Sequence, residues 1–227
     1  MNLNELKNSI KGKNIEESME TLANLFPEKV IFTTSFGIED QIITQKIFTN
    51  NLNIKVATID TGRLFSETHE VFYHTLMRFG RTIHTYFPDY KSVEELVTKK
   101  GPYSFYGSVE DRKECCRIRK RVPLERALEG MQVWISGIRA EQSDIRSQMK
   151  QLEYDKKRKL YKYYPLFNWT YQEVRQYAKE KFISYNVLHD KGYASIGCQP
   201  CTRAIGQGEN FRAGRWWWEK EGCKDCE

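Results

Sequence analysis

The chain has 227 residues, 40% of them hydrophobic and 29% charged, a composition that supports one large globular domain with a substantial core. Lysine and arginine number 36 against 30 aspartates and glutamates, and the net charge of +6 favours an anionic partner. No apolar run of about eighteen residues occurs, which excludes a membrane-spanning helix, and the first ten residues lack signal-peptide character, so a cytoplasmic protein is expected.

In chain order, residues 15–26 place Ile15, Met19, Leu22, Ala23 and Phe26 at helical spacing, and Pro27 closes the segment. Residues 29–34 (KVIFTT) predict a buried strand, and 38–48 a helix. A second strand over 54–59 ends at Asp60, and a helix over 66–79 starts with Ser66 as its N-cap. A third strand (82–87), a helix (92–99) and a fourth strand (131–136) follow. Strands alternating with helices predict an α/β fold with a parallel sheet flanked by helices. Residues 151–162 are rich in charge and read as a solvated loop or an edge strand. Thr170 and Glu173 form a capping box before a helix reaching about Lys181. The chain therefore reads as a single α/β domain, with a nucleotide-binding core over about 1–165 and a Cys/Arg-rich C-terminal extension over about 166–227.

An open parallel sheet binds its ligand beyond the carboxyl ends of its strands. Three of those ends carry polar, Gly-bearing segments. After the first strand come Thr34, Ser35 and Gly37, hydroxyls and a glycine ahead of a helix N-terminus, which can cradle a phosphate through backbone N–H groups. After the second come Asp60, Thr61, Gly62 and Arg63; after the fourth, Gly137 and Arg139, with Arg146 further on. Each segment alone is ordinary capping or turn chemistry. Together they predict a nucleotide or phosphate site, of neither the Walker nor the dinucleotide-fingerprint type.

Six cysteines in a chain expected to be intracellular point to metal binding or catalysis more than to disulfides. Cys198 and Cys201 form a C-x-x-C knuckle, and Cys115-Cys116 is an adjacent pair. Neighbouring side chains on a helix diverge, which suits the separate corners of an iron–sulfur cubane better than one tetrahedral zinc shell. Arg112, Lys113, Arg117, Arg119, Lys120 and Arg121 crowd the pair and would offset a cluster's negative charge. The competing arrangement joins Cys198 and Cys201 to Cys223 and Cys226, with 21 residues between the knuckles, as in a zinc ribbon. Arg212 and Arg215, three residues apart beside Trp216, Trp217 and Trp218, can clamp phosphate or sulfate, or form a solvated basic turn.

The segments TTSFGIED, IDTGRLFSET, KECCRIRKRVPL, WISGIRAEQS, IGCQPCTR, FRAGRWWWE and the final KDCE together resemble the assimilatory sulfonucleotide reductases, in particular their iron–sulfur adenylylsulfate (APS) reductase branch. The resemblance runs from about residue 32 to residue 227. It implies an adenine nucleotide α-hydrolase-like fold and a [4Fe–4S] cluster on Cys115, Cys116, Cys198 and Cys201. It puts Lys120 near cluster and substrate, Arg146, Arg212 and Arg215 on positions that hold phosphate and sulfate, and Thr34, Ser35 and Gly37 in the phosphate loop. Cys226 falls on the position of the nucleophile, which would take the sulfonate from APS, release AMP, and yield sulfite to thioredoxin or glutaredoxin.

The resemblance also suggests a homo-oligomer, and neither a nucleic acid nor a membrane partner is expected. Two departures stand out. The final motif stops at Glu227, which implies a natural tail that continues, and Cys223 is extra and is assigned no role. Alternatives are a reductase taking PAPS alone or with APS, a zinc-ribbon nucleotide- or RNA-binding module, and a tRNA-thiolating enzyme. TTSFGIED departs from the SGGxDS loop which that last activity would need.

Overall fold

The computed structural model describes residues 1–219. Two short N-terminal helices, α1 (Leu3–Ile10) and α2 (Ile15–Leu25), each begin with a reciprocal capping box, Asn2 with Glu5 and Asn14 with Glu17. The chain then alternates through β1 (Val30–Thr34), α3 (Ile38–Thr49), β2 (Lys55–Ile59), α4 (Ser66–Phe79), β3 (His84–Tyr86) and α5 (Tyr90–Lys100). A nearly continuous helical stretch, α6 (Val109–Cys116) and α7 (Val122–Leu128), precedes β4 (Val133–Ile135). A short α8 (Asp144–Ser147), the hairpin of β5 (Leu152–Asp155) and β6 (Leu160–Tyr163), and α9 (Tyr171–Glu180) complete the regular elements.

The six strands form one sheet in the order β3-β2-β1-β4-β6-β5, parallel throughout except for the antiparallel pair β5–β6. Side-chain alternation along each strand divides the core. Val30, Phe32, Val56, Val133 and Ile135 face a large cluster that includes Leu22, Ile42 and Val174 from α2, α3 and α9. Ile31, Ala57 and Trp134 face a smaller one under Leu124, Ala127 and Leu128 of α7. The expected parallel α/β architecture is therefore present, with both faces covered.

Three expectations need correction. Ser66 is the first helical residue of α4, not its N-cap. Phe65 occupies the cap without a side-chain bond; it is buried and packs edge-on against Tyr193 at 5.6 Å, so apolar burial fixes this helix start. Only the middle of residues 82–87 pairs as β3. Residues 151–162 are a hairpin whose charge is concentrated in the turn at 156–159, and only β5 is an edge. β6 lies inside the sheet, where buried Lys162 meets Asp155 at 3.2 Å and lies over the Trp134 ring. α1 and the α6–α7 stretch were absent from the sequence reading, while the Thr170–Glu173 capping box does open α9.

Candidate active site

The strand order reverses at β1: the chain moves outward through β2 and β3, then returns to β4 on the other side. The crevice outside the carboxyl ends of β1 and β4 is this sheet's topological switch point. One lip is the β1–α3 turn. There Phe36 N donates to Thr34 Oγ1 at 3.0 Å, and Ser35 donates to Asp40 from N at 2.6 Å and from Oγ at 2.7 Å. Phe36 adopts a left-handed φ of 60°, held by burial and by stacking on Phe72 at 4.8 Å. Ile38 N, at the start of α3, donates to Nε2 of buried His189 at 3.3 Å.

The other lip follows β4. Gly137 packs so closely on Asp40 that a Cβ there would overlap the carboxylate. Arg139 is fully buried; its Nε donates to Glu39 at 2.8 Å and its Nη1 to Glu141 at 2.6 Å. Its Nη2 is a buried donor with no hydrogen-bond partner among the described residues. Half-buried Arg146 caps on Ser143 and donates from Nη1 to Gln142. At the end of β2, Asp60 accepts from Gly62 N at 2.8 Å, and His69 Nε2 lies 3.0 Å from its other oxygen.

The cysteines gather beside this edge. Cys115 and Cys116 end α6, and the next turn, Arg117–Arg121, is a wide π turn in which Val122 N reaches back to Arg117 O. Pro123 explains the width: it has no N–H to offer the carbonyl four residues back, and its ring crowds that position. The Cys198–Cys201 knuckle is stitched across from it. Thr61 Oγ1 lies 3.2 Å from Cys198 Sγ, Gln199 N donates to Arg63 O at 2.8 Å, and Tyr106 Oη donates to Pro200 O at 2.7 Å.

All four thiols are free and share one apolar cluster with Leu96, Phe105, Ile118, Trp216 and Trp218. Burial pushes the thiols of Cys115, Cys116 and Cys201 above the ordinary cysteine range. Arg119 opposes this at Cys115, Lys120 at Cys116 and Arg215 at Cys201. Among the described residues no three His, Cys, Asp or Glu side chains group closely enough to hold a single metal ion.

The C-terminal segment is strapped onto α6. Thr202 and Arg215 form a β-bridge, and the Arg112 guanidinium makes a buried pair with Glu219 through Nε at 2.8 Å and Nη2 at 3.0 Å. Trp216 collects three guanidiniums: Arg215 at 4.8 Å, Arg112 at 4.9 Å and Arg212 at 5.8 Å from its ring centre. Any side chain at Gly197 would overlap the Arg215 guanidinium. Lys120 is exposed at the surface of this assembly. Loss of hydration among its neighbours, then the adjacent Arg215 and Arg212 charges, holds its ammonium below the ordinary lysine range.

Residues 29–204 match the family described as the phosphoadenosine phosphosulfate reductase domain. The chain belongs to that family. A relative in Sinorhizobium fredii (strain NBRC 101917 / NGR234), named adenosine 5'-phosphosulfate reductase, is 43% identical over 97% of this chain and 88% of its own length. One of the same name in Agrobacterium fabrum is 46% identical over 87% of this chain and 76% of its own. The crystal structure of a phosphoadenylyl-sulfate (PAPS) reductase from Candida auris superposes with a TM-score of 0.75 at 24% identity, covering 89% of this chain and 96% of that one. An NH3-dependent NAD synthetase from Campylobacter jejuni reaches a TM-score of 0.53 at 12% identity, covering 85% of this chain and 79% of that one. These two likenesses establish the adenine nucleotide α-hydrolase-like fold.

Within this reductase-family fold, Thr34, Ser35, Gly37, Gly137 and Arg139 meet at the switch point, and Asp60 ends the neighbouring strand. Cys115, Cys116, Cys198, Cys201, Lys120, Arg212 and Arg215 form a second group. Cys226 and Cys223 lie outside the described residues. Arg112, grouped in the sequence with charges that would offset a cluster, is neutralised by Glu219. Arg119, grouped in the sequence with the charges around the cysteine pair, does lie beside Cys115 and donates from Nη1 to Thr61 O at 2.9 Å, whereas sequence reasoning assigned no site role to Asp40 or His189. For Asp40 the signal was present: an acid in the first turn of the helix that follows the polar end of β1.

Proposed function

We propose that this chain reduces adenylylsulfate (APS) to sulfite and AMP in sulfate assimilation, using thiols as the electron source. The observation that carries the reading is the gathering of four free cysteines from two distant segments beside Lys120, Arg212 and Arg215, in a chain whose relatives are named for this reaction. Cys115, Cys116, Cys198 and Cys201 would hold a [4Fe–4S] cluster. Four thiols packed in one apolar cluster, two of them buried, suit a bound cationic iron centre that keeps them as thiolates, and the adjacent Cys115–Cys116 pair suits the separate corners of a cluster better than one zinc shell. When bound, such a cluster supplies a fixed charge and an ordering centre, while thiols supply both electrons.

The Cys226 thiolate attacks the sulfur of the phosphosulfate anhydride. An S–S bond forms, the bond from sulfur to the bridging oxygen breaks, and AMP leaves with that electron pair. Arg146, Arg212, Arg215 and Lys120 reduce the repulsion between thiolate and dianion and stabilise charge moving onto the leaving phosphate. A dithiol reductant of the thioredoxin or glutaredoxin type then attacks Cys226 Sγ, sulfite departs, and the second thiol of the reductant resolves the mixed disulfide.

The test mixes anaerobic, cluster-loaded protein with one equivalent of APS, or separately PAPS, without reductant, and maps the adduct by peptide mass. A sulfonate on Cys226 from APS alone is expected. Adducts from both nucleotides would make the enzyme dual-specific, and no adduct from either would overturn the reading.

A further inference from the structure

Glu39 and Asp40 are consecutive buried carboxylates in the first turn of α3, and their surroundings differ. Glu39 meets a cation, accepting from Arg139 Nε at 2.8 Å and also from Gln142 Nε2 at 3.0 Å. Asp40 has no cation partner among the described residues. It accepts from Ser35 N and Oγ on one lip of the crevice, and its Oδ1 packs against Gly137 on the other, where the backbone N–H favours the ionised carboxylate. The closeness of Asp40 Oδ1 to Gly137 leaves room there for glycine alone. A buried carboxylate without a cation costs the fold. Burial, with Glu39 adding to it, raises the Asp40 pKa to about 6 in spite of the Ser35 bonds. A costly group kept where an amide would be cheaper marks a functional position.

We infer that Asp40 is a positioning residue for the nucleotide: its carboxylate spans the switch-point crevice, fixes the separation of Ser35 and Gly137, and releases that brace when protonated. The inference rests on the APS reading above. A proton on Oδ1 turns an acceptor into an O–H facing Gly137, so the attraction of its backbone N–H across the crevice is lost while Ser35 stays bound to Oδ2. The other charged or titratable groups around it are Glu39, neutralised by Arg139, and His189, which caps Ile38 N and is kept below the ordinary histidine range by burial.

The test measures APS affinity by calorimetry in cluster-loaded Cys226→Ser protein, which cannot turn over. APS is the probe because the second ionisation of a phosphate monoester such as AMP, near about 6, would obscure the result. Affinity should weaken about tenfold between about pH 7 and about pH 5, as the competent ionised fraction falls. Asp40→Asn on the same background stands in for the protonated form. It should bind APS about tenfold more weakly at neutral pH, with no pH trend of that size.

Melting supplies a second readout. Because the folded pKa is raised, protonated Asp40 contributes stability that is present below the unfolded pKa and lost as pH rises through about 6. The Asn variant should therefore melt no lower than its parent at neutral pH. Undiminished APS affinity in Asp40→Asn, a parent affinity that strengthens with acid, or a lowered melting temperature in the variant would each overturn the inference. Absence of APS binding by the parent at every pH would instead overturn the APS reading, and this inference with it.

Discussion

Arg112 and Lys120, eight positions apart in one basic run, carry the same charge to different ends. Arg112 is fully buried and neutralised by Glu219, whereas Lys120 is exposed beside Arg212 and Arg215. A cation already crowded by two others is strongly drawn to an arriving dianion, which would relieve that repulsion. Lys120→Gln should lower kcat/KM about a hundredfold while leaving iron and labile sulfide unchanged, as expected when charge facing a transition state is removed. Steady-state kinetics on protein of measured iron content checks this, and wild-type kinetics would refute it. Arg139 teaches a related lesson: a sequence shows that a guanidinium is present, but not that Glu39 and Glu141 have taken two of its nitrogens.

At the scale of elements, the path from α6 through the π turn to α7 governs the site. Pro123 prevents a regular helix there, and the wide turn resets the faces on which Arg119 and Lys120 emerge after the cysteine pair. The buried Arg112–Glu219 pair then fastens the C-terminal strap to the same helix. Removing one partner of such a pair strands the other charge and costs about 3–5 kcal/mol. Glu219→Gln should therefore destabilise the strap by roughly that amount. Faster amide exchange over residues 212–219, with the β1–β4 strands still protected, is the expected signature. Uniform protection would show that the pair does not hold the strap. The proline was visible in the sequence. The partner of Arg112, more than a hundred positions away, was not.

For the whole molecule, the four candidate ligands come from two distant segments of the chain brought together beside the sheet. Iron bound to all four would link those segments, so ligand loss should weaken the fold as well as the site. Cys198→Ser is expected to lose iron and to melt several degrees lower, in keeping with a loss of about 1–2 kcal/mol. Iron and sulfide assays with a melting curve test this; full iron content would mean a different ligand set. Among the described residues no helix is long and apolar enough to cross a membrane, as the composition indicated.

By itself the sequence determined the alternation of strands and helices, the three polar strand ends and the cysteine spacing. All of these are local: β-branched runs, capping pairs and adjacent residues act within a few positions of one another. Tertiary structure decided which charges are spent on each other, that β6 lies inside the sheet, and that Asp40 reaches from α3 to Gly137. Those outcomes depend on contacts between residues far apart in the chain, such as Arg112 with Glu219 and Ile38 with His189, whose geometry exists only once the sheet order brings their elements together.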